Sequence, residues 1–158
     1  GEVWIEDCLE SEKDLFLHMV ETEKKFFKTD SPFSQLRHKL MKEAQKRRPR
    51  PEFTDFIKKV SKKGKLKVIY IDGSMIRKYI DPYFVAGGHD LVYHYIPKNE
   101  VWIDAKNYQA DQPFVVAHEV YERGLMARGM DYADAHDFAI AEERRLRRKH
   151  GVADFTNG

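Results

Sequence analysis

The chain has 158 residues, of which 42% are hydrophobic and 13% aromatic, and its formal net charge is +2. This length and composition predict a packed core of single-domain size and exclude a largely disordered chain. No apolar run reaches the roughly 20 residues of a membrane-spanning helix, and no secretory signal opens the chain. The single cysteine, Cys8, excludes an internal disulfide and a cysteine-based zinc cluster, so we expect a cytoplasmic protein with no membrane partner.

The N-terminal part of the sequence predicts helices. Apolar side chains recur at helical spacing over residues 15–27. The pair Ser31-Pro32 predicts the start of a second helix that continues to about Arg48, where prolines end it. A third helix is predicted over residues 52–63, before a glycine.

The apolar pattern then changes to that of β-strands. Residues 66–71 are β-branched and aromatic, and a following Asp-Gly pair predicts a turn after which residues 75–80 return as the partner strand. A second hairpin is predicted where residues 91–96 and 101–103 flank a proline-containing turn. The sequence thus predicts a small antiparallel sheet of two hairpins.

Two further helices are predicted after the sheet. The first begins near Pro113, and the second is capped by Asp131 and continues to about Lys149. The order of helices, strands and helices predicts an α+β fold. We expect a helical N-terminal region over 1–64 and an α+β domain over 65–158, with one compact domain as the alternative.

The first of these C-terminal helices carries a metal-site motif. His118 and Glu122 are four residues apart and share a helical face, and Glu119 directly follows His118. This is the geometry of the His-Glu-x-x-His zinc helix, in which the outer residues bind zinc and the glutamate accepts a proton from the zinc-bound water. Glutamate replaces the second histidine here, so a ligand set of two histidines and one glutamate needs another histidine. His136, on the following helix, is the best candidate, and an inter-helix salt bridge involving Glu122 is the alternative.

The residues around this motif resemble those of a known family. A strand over 99–104, a polar loop and the helix start Phe-Val-Val-Ala-His-Glu at 114–119 together resemble the ImmA/IrrE-type family of zincin metallopeptidases. The resemblance covers roughly residues 66–149 and is specific mainly over 99–122.

This resemblance implies a zincin-like domain with a zinc cofactor and a protein or peptide substrate. It makes His118 the first ligand, Glu119 the general base and Glu122 the second ligand, where the family pattern has histidine. It also implies that the strand before the active-site helix is an edge of the sheet, to which a peptide substrate adds as a further strand.

Other side chains are weaker candidates for the same site. Glu143 is predicted to hold a ligand by a hydrogen bond or, alternatively, to be a solvated helix charge. Tyr121 or Tyr132 is a candidate for stabilising an oxyanion, with packing in the core or an interface as the alternative. His89 and His94 are alternative ligands, although histidines in loops and strands are usually surface groups.

Positive charge is concentrated in residues 35–67, here called the basic segment. It holds 13 Lys/Arg and three acidic residues, a charge of +10, whereas the remaining residues hold 15 Lys/Arg and 23 acidic residues, a charge of −8. Arg47, Arg48 and Arg50 are therefore candidates for contact with nucleic acid or an acidic protein. A solvated face, or contact with the acidic remainder of the chain, is the alternative.

The sequence leads to two functional hypotheses. The first is a zinc-dependent metallopeptidase that cleaves a protein substrate with water activated by Glu119. The second is a non-enzymatic binding module that uses the basic segment, with the metal site structural or absent. The sequence indicates no oligomeric state.

Overall fold

A computed structural model describes residues 32–107 and 109–152, which contain four α-helices, a 3-10 turn and one four-stranded sheet. The elements are α1 (Pro32–Gln45), a 3-10 turn (Phe53–Phe56), β1 (Ile57–Lys63), β2 (Leu66–Ile71), α2 (Gly73–Tyr79), β3 (Gly87–His89), β4 (Glu100–Asp104), α3 (Gln112–Ala127) and α4 (Tyr132–Lys149). The predicted α+β class is therefore confirmed. No helix in the described ranges has the length and apolar character needed to cross a membrane.

The described residues belong to two compact units. The first unit contains residues 32–52 and Ser74–Phe84. The second contains Phe53–Gly73 and residues 85–152, and with them the whole sheet, α3 and α4. The predicted boundary after residue 64 stays a prediction.

Helix α1 confirms the helix predicted from Pro32, and a buried ion pair fixes it within the first unit. Arg37 Nη2 lies 2.6 Å from Asp81 Oδ2, and both side chains are fully buried. Asp81 Oδ1 also accepts a hydrogen bond from the Tyr83 backbone N–H. Removing one partner of such a pair leaves an uncompensated buried charge and costs about 3–5 kcal/mol. The helix predicted over 15–27 lies outside the described residues.

The sheet has the strand order β1-β2-β4-β3. β1 and β2 form an antiparallel hairpin, β2 and β4 are parallel, and β3 and β4 are antiparallel. Buried side chains of β2 and β4 form a hydrophobic cluster with α3, made of Val68, Val101, Ile103 and Val116. Because α3 also contacts β3, the sheet holds the motif helix next to both β3 and β4.

The predicted helix over 52–63 is wrong. This segment forms the 3-10 turn and then strand β1. Gly64 has a φ of +60°, which glycine adopts without strain, and it closes the hairpin to β2. The backbone ladder with β2 and the burial of Phe56 outweigh the helical spacing of the apolar residues, because pairing in the sheet satisfies the backbone of the whole segment.

The two predicted hairpins are also wrong. Residues 75–80 lie in helix α2 and just after it, and the Asp-Gly pair serves a different purpose. The Gly73 N–H donates to Asp104 Oδ1 at 3.1 Å, and a Cβ on Gly73 would overlap the Asp104 carboxylate. Residues 91–96 form turns, and the antiparallel partner of β4 is β3. The sheet is therefore mixed, because β2 and β4 pair in parallel across a long connection.

The two predicted C-terminal helices are confirmed. The Asp131 carboxylate caps α4 by accepting a hydrogen bond from the Asp134 backbone N–H at 2.9 Å. Gly129, with a φ of +99°, lies in the short turn between the helices. The Arg147 guanidinium lies over the Phe114 ring at 4.7 Å, so the end of α4 contacts the start of α3 and the helices run antiparallel.

Candidate metal centre

Six ionisable residues meet inside the second unit, and each residue is at most 4% exposed. Ionised groups are costly to bury unless they are paired or bound to a metal. These side chains must therefore stabilise one another or a cation. They are His89 from β3, His118, Glu119 and Glu122 from α3, and His136 and Glu143 from α4.

Three donor atoms converge on one point. His118 Nε2 lies 3.3 Å from His136 Nδ1 and 3.4 Å from Glu122 Oε2, and His136 Nδ1 lies 2.6 Å from the same oxygen. A tetrahedral zinc ion with bonds of 2.0–2.1 Å separates its ligand atoms by about 3.3 Å. Two of the three separations match this value, and the third is a hydrogen bond of 2.6 Å that would have to lengthen for zinc to bind. These three residues could therefore hold one divalent metal ion.

Glu143 and Arg147 hold the His118 ring in place. Glu143 Oε2 accepts a hydrogen bond from His118 Nδ1 at 3.0 Å, and Arg147 Nε donates to the other oxygen of Glu143 at 3.0 Å. Arg147 Nη1 also donates to the carboxylate of Asp111, the N-cap of α3, at 2.7 Å. With its Nδ1 proton held by Glu143, His118 turns Nε2 toward the other two donor atoms, as metal-binding histidines usually do.

A second group of donors lies on the other side of Glu122. His89, Glu119 and Glu122 each offer a ligand atom, and these atoms lie within 4.8 Å of one another. His89 Nε2 is 2.9 Å from Glu122 Oε1, whereas Glu122 Oε2 faces His136. A Cβ on Gly87 would lie 3.2 Å from Glu119 Cγ, so glycine lets β3 approach α3 closely at this point. Both His/Glu groups could bind a metal ion, and Glu122 belongs to both.

The cluster is electrostatically coupled. Burial disfavours the charged form of His118, but hydrogen bonds to Glu122 and Glu143 and the charge of Glu119 outweigh burial and raise its pKa well above the usual value. Burial also opposes ionisation of Glu122, yet hydrogen bonds from the three histidines, His118 first, lower the pKa of its carboxyl below the usual range. In the absence of a metal, the positive charge of protonated His118 therefore offsets the negative charges of Glu122 and Glu143.

The structure brings some of the predicted site residues together and leaves others apart. His118, Glu122 and His136 lie together, and Glu122 contacts His136 as the salt-bridge alternative also required. Tyr121 is 39% exposed, outside the buried cluster. The Tyr132 ring stacks on the His136 ring with centroids 5.3 Å apart. The catalytic and ligand roles of these residues stay predictions.

His89 is more central than the sequence indicated, whereas His94 is exposed. His89 is fully buried on β3 and touches Glu122. The sequence signal for this position is the preceding pair Gly87-Gly88, because glycine in a strand often marks close approach of another element. A Cβ on Gly88 would overlap the ring of Tyr93.

Strand β4 is not an edge of the sheet. It lies between β2 and β3, so its backbone is paired on both sides. Peptide addition to this strand, which the family resemblance implied, is therefore wrong for this fold. Of the described strands, β1 and β3 lie at the edges, and β3 is buried.

The predicted contact arginines of the basic segment bond to backbone carbonyls. Arg47 Nη1 donates to the Lys78 carbonyl at 3.1 Å, and Arg48 Nη1 donates to the Gln45 carbonyl at 3.1 Å. Arg50 Nη1 reaches the Gln45 carbonyl at 3.5 Å. All three side chains are exposed, and contact with nucleic acid or an acidic protein stays a prediction.

The chain matches no protein-family model, no curated protein and no solved structure. The structure supports a buried His/Glu cluster that could bind a metal ion. The resemblance to the ImmA/IrrE-type zincins rests on the sequence motif and its flanks, and it stays a prediction.

Proposed function

We propose that the protein is a zinc-dependent hydrolase that cleaves peptide bonds in a protein substrate. The observation that carries the proposal is the convergence of His118 Nε2, Glu122 Oε2 and His136 Nδ1 within 3.4 Å of one another. Two imidazoles and one carboxylate are a known ligand set of catalytic zinc. Catalytic zinc sites use three protein ligands and keep a fourth position for a reactant, whereas structural zinc sites usually have four protein ligands.

The side chains around the three ligands suit hydrolysis. Bound zinc would polarise the scissile carbonyl and make the attacking water more acidic. Glu119 follows His118 on α3 and is not one of the three ligands, so we assign its carboxylate as the base that accepts the proton of the attacking water. Glu143 holds His118 through Nδ1, which keeps the Nε2 lone pair directed toward the ligand cluster.

The substrate class rests on the sequence motif. A His-Glu pair on a helix, with the flanks described above, resembles the zincin peptidases, which hydrolyse amide bonds. Because β4 is paired on both sides, a peptide would have to bind by contacts other than strand addition to β4.

One observation favours a second candidate, a binding module with structural zinc. The side chains of His89, His118, Glu122, His136 and Glu143 are at most 5% exposed, and closed, buried sites are typical of structural zinc. In that case the basic segment would supply the function by binding an anionic partner. Salt-dependent binding of DNA or RNA that is lost when Arg47, Arg48 and Arg50 are neutralised would support this candidate.

The test combines metal analysis with a cleavage assay. The purified chain, loaded with zinc and dialysed, is analysed for zinc and incubated with fluorescently labelled casein as a general protein substrate. The wild-type chain should bind zinc and release fluorescent peptides. Glu119→Gln should still bind zinc at the three-ligand site and lose at least about 100-fold in rate, since a positioned base contributes roughly 10²–10⁴-fold.

A matched control is Glu142→Gln, because Glu142 pairs with Arg145 on the exposed face of α4. This variant should keep the wild-type cleavage rate. A chain that takes up no zinc would end the proposal. Full cleavage by Glu119→Gln would remove Glu119 from the mechanism, and zinc binding without cleavage would favour the structural candidate.

A further inference from the structure

We propose that His89, Glu119 and Glu122 form a second divalent-cation site of lower affinity, a proposal that rests on the zinc site proposed above. Their ligand atoms lie within 4.8 Å of one another. The set contains one imidazole and two carboxylates, and zinc binds both donor types. All three side chains are at most 3% exposed, so a cation there would be held by the protein interior and not by surface carboxylates.

Glu122 joins the two sites. Its Oε1 lies 2.9 Å from His89 Nε2, and its Oε2 lies 2.6 Å from His136 Nδ1. The two oxygens of one carboxylate thus face histidines of two different donor groups. Each oxygen can therefore bind its own cation, and the metal ions of two-metal sites lie about 3.5–4 Å apart, a distance that a bridging carboxylate spans.

The charge of the cluster favours more than one cation. Metal binding requires neutral histidines, and in that state the four carboxylates and one guanidinium of this group of described residues give a net charge of −3. One divalent cation leaves this group negative, and the remaining charge attracts a second cation. The charged members are Asp111, Glu119, Glu122, Glu143 and Arg147.

The second site should bind more weakly than the first. His89 Nδ1 is buried and has no hydrogen-bond partner within the described part of the chain, whereas His118 Nδ1 is held by Glu143. Loss of such an outer hydrogen bond typically lowers metal affinity about 10–100-fold. A cation already bound to Glu122 also repels the second one. The first site therefore fills before the second.

Occupation of the second site has a chemical consequence for the proposed reaction. A carboxylate that binds a cation through its lone pairs is a poor acceptor for a proton. Glu119 can therefore act as the base or as a ligand of the second cation. Zinc in excess of one equivalent should slow hydrolysis for this reason.

The test measures zinc binding alone. The wild-type chain is dialysed against a series of buffered free Zn²⁺ concentrations, and the bound zinc per chain is measured by elemental analysis. We expect two bound ions, the second with an affinity at least about tenfold lower. Glu119→Gln and His89→Leu should each bind one ion. His94→Leu, at an exposed position, and Glu142→Gln, at a partly exposed position outside the cluster, should each bind two.

Each outcome decides between the two proposals. A wild-type chain that saturates at one zinc overturns the second site and leaves the proposed function standing. Two ions retained by both Glu119→Gln and His89→Leu would also overturn the second site. Uptake of no zinc at all would overturn the proposed function and the second site together. The circular dichroism spectrum shows whether each variant is folded. If His89→Leu does not fold, the isosteric variant Glu119→Gln still tests the second site.

Discussion

Replacing Glu143 with glutamine measures how strongly the carboxylate behind His118 supports the metal site. Glu143 Oε2 lies 3.0 Å from His118 Nδ1, and both side chains are buried. Glutamine has the same size and still offers an oxygen to the Nδ1 proton, but it removes the negative charge. A charge-assisted hydrogen bond is roughly twice as strong as a neutral one. Loss of the outer partner of a metal-binding histidine weakens metal binding about 10–100-fold, which corresponds to about 1.4–2.7 kcal/mol.

We expect Glu143→Gln to lose about tenfold in zinc affinity, the lower end of this range, because the amide oxygen of glutamine still orients the His118 ring. Competition with a chromophoric zinc chelator gives the affinity, and Glu142→Gln is the neighbouring control, because the partly exposed Glu142 carboxylate pairs with Arg145. Arg147 keeps its contact with Asp111 in the variant, so the helix pair should stay folded. An affinity for zinc within twofold of the wild-type value would show that the charge of Glu143 does not support His118 as a ligand, and the argument from this hydrogen bond would fail.

Two further predictions concern stability. Zinc at 100 times the dissociation constant of the first site should stabilise the fold by at least about 2.7 kcal/mol in urea unfolding. The gain should be smaller in His136→Ala, which loses a ligand of the first site but keeps the three residues of the weaker site. In zinc-free protein, burial disfavours charged His118, but Glu122 and Glu143 raise its pKa well above the usual value. Its imidazolium therefore contributes stability that is fully present below about pH 6.5 and is lost as the pH rises through the raised pKa. His118→Gln should flatten this dependence, and a wild-type stability that increases with pH over that range would contradict the sign.

The helices that carry most of the site are predictable from sequence because their signals are local. A proline at the start of α3, a left-handed glycine at the turn and the Asp131 cap each act within a few residues. The spacing of His118 and Glu122 then fixes a shared helical face. Antiparallel return of α4 brings His136 to that face. The grouping of His118, Glu122 and His136 therefore follows from two helices and one turn.

The sheet is not predictable in the same way because its pairing is not local. The apolar residues Phe56, Ile57 and Val60 fit a helical spacing, yet this segment pairs with β2. The parallel pairing of β2 with β4 joins residues more than thirty positions apart, such as Lys67 and Glu100. No local turn signal marks such a pair. The identity of the edge strands, and with it the place where a peptide could add, depends on this pairing.

His89 shows how the error in the sheet carries over to the site. A predicted hairpin over 91–103 leaves His89 in a loop, where histidines are usually solvated. In the structure β3 pairs with β4 next to α3, and His89 reaches Glu122. Side chains brought to a site by a helix can thus be inferred from spacing, whereas those brought by a strand require the strand order.

The glutamate at position 122 departs from the His-Glu-x-x-His motif, and His89 gives the departure a physical reason. A histidine at 122 would direct a single nitrogen toward the cluster. A carboxylate directs two oxygens, one 2.9 Å from His89 on β3 and the other 2.6 Å from His136 on α4. Glu122 therefore links the strand and the second helix through α3, and its two oxygens lie beside different buried imidazoles. Two buried histidines from other elements, His89 and His136, face this position of α3. A glutamate offers an acceptor oxygen to each of them, whereas a histidine would offer only one nitrogen.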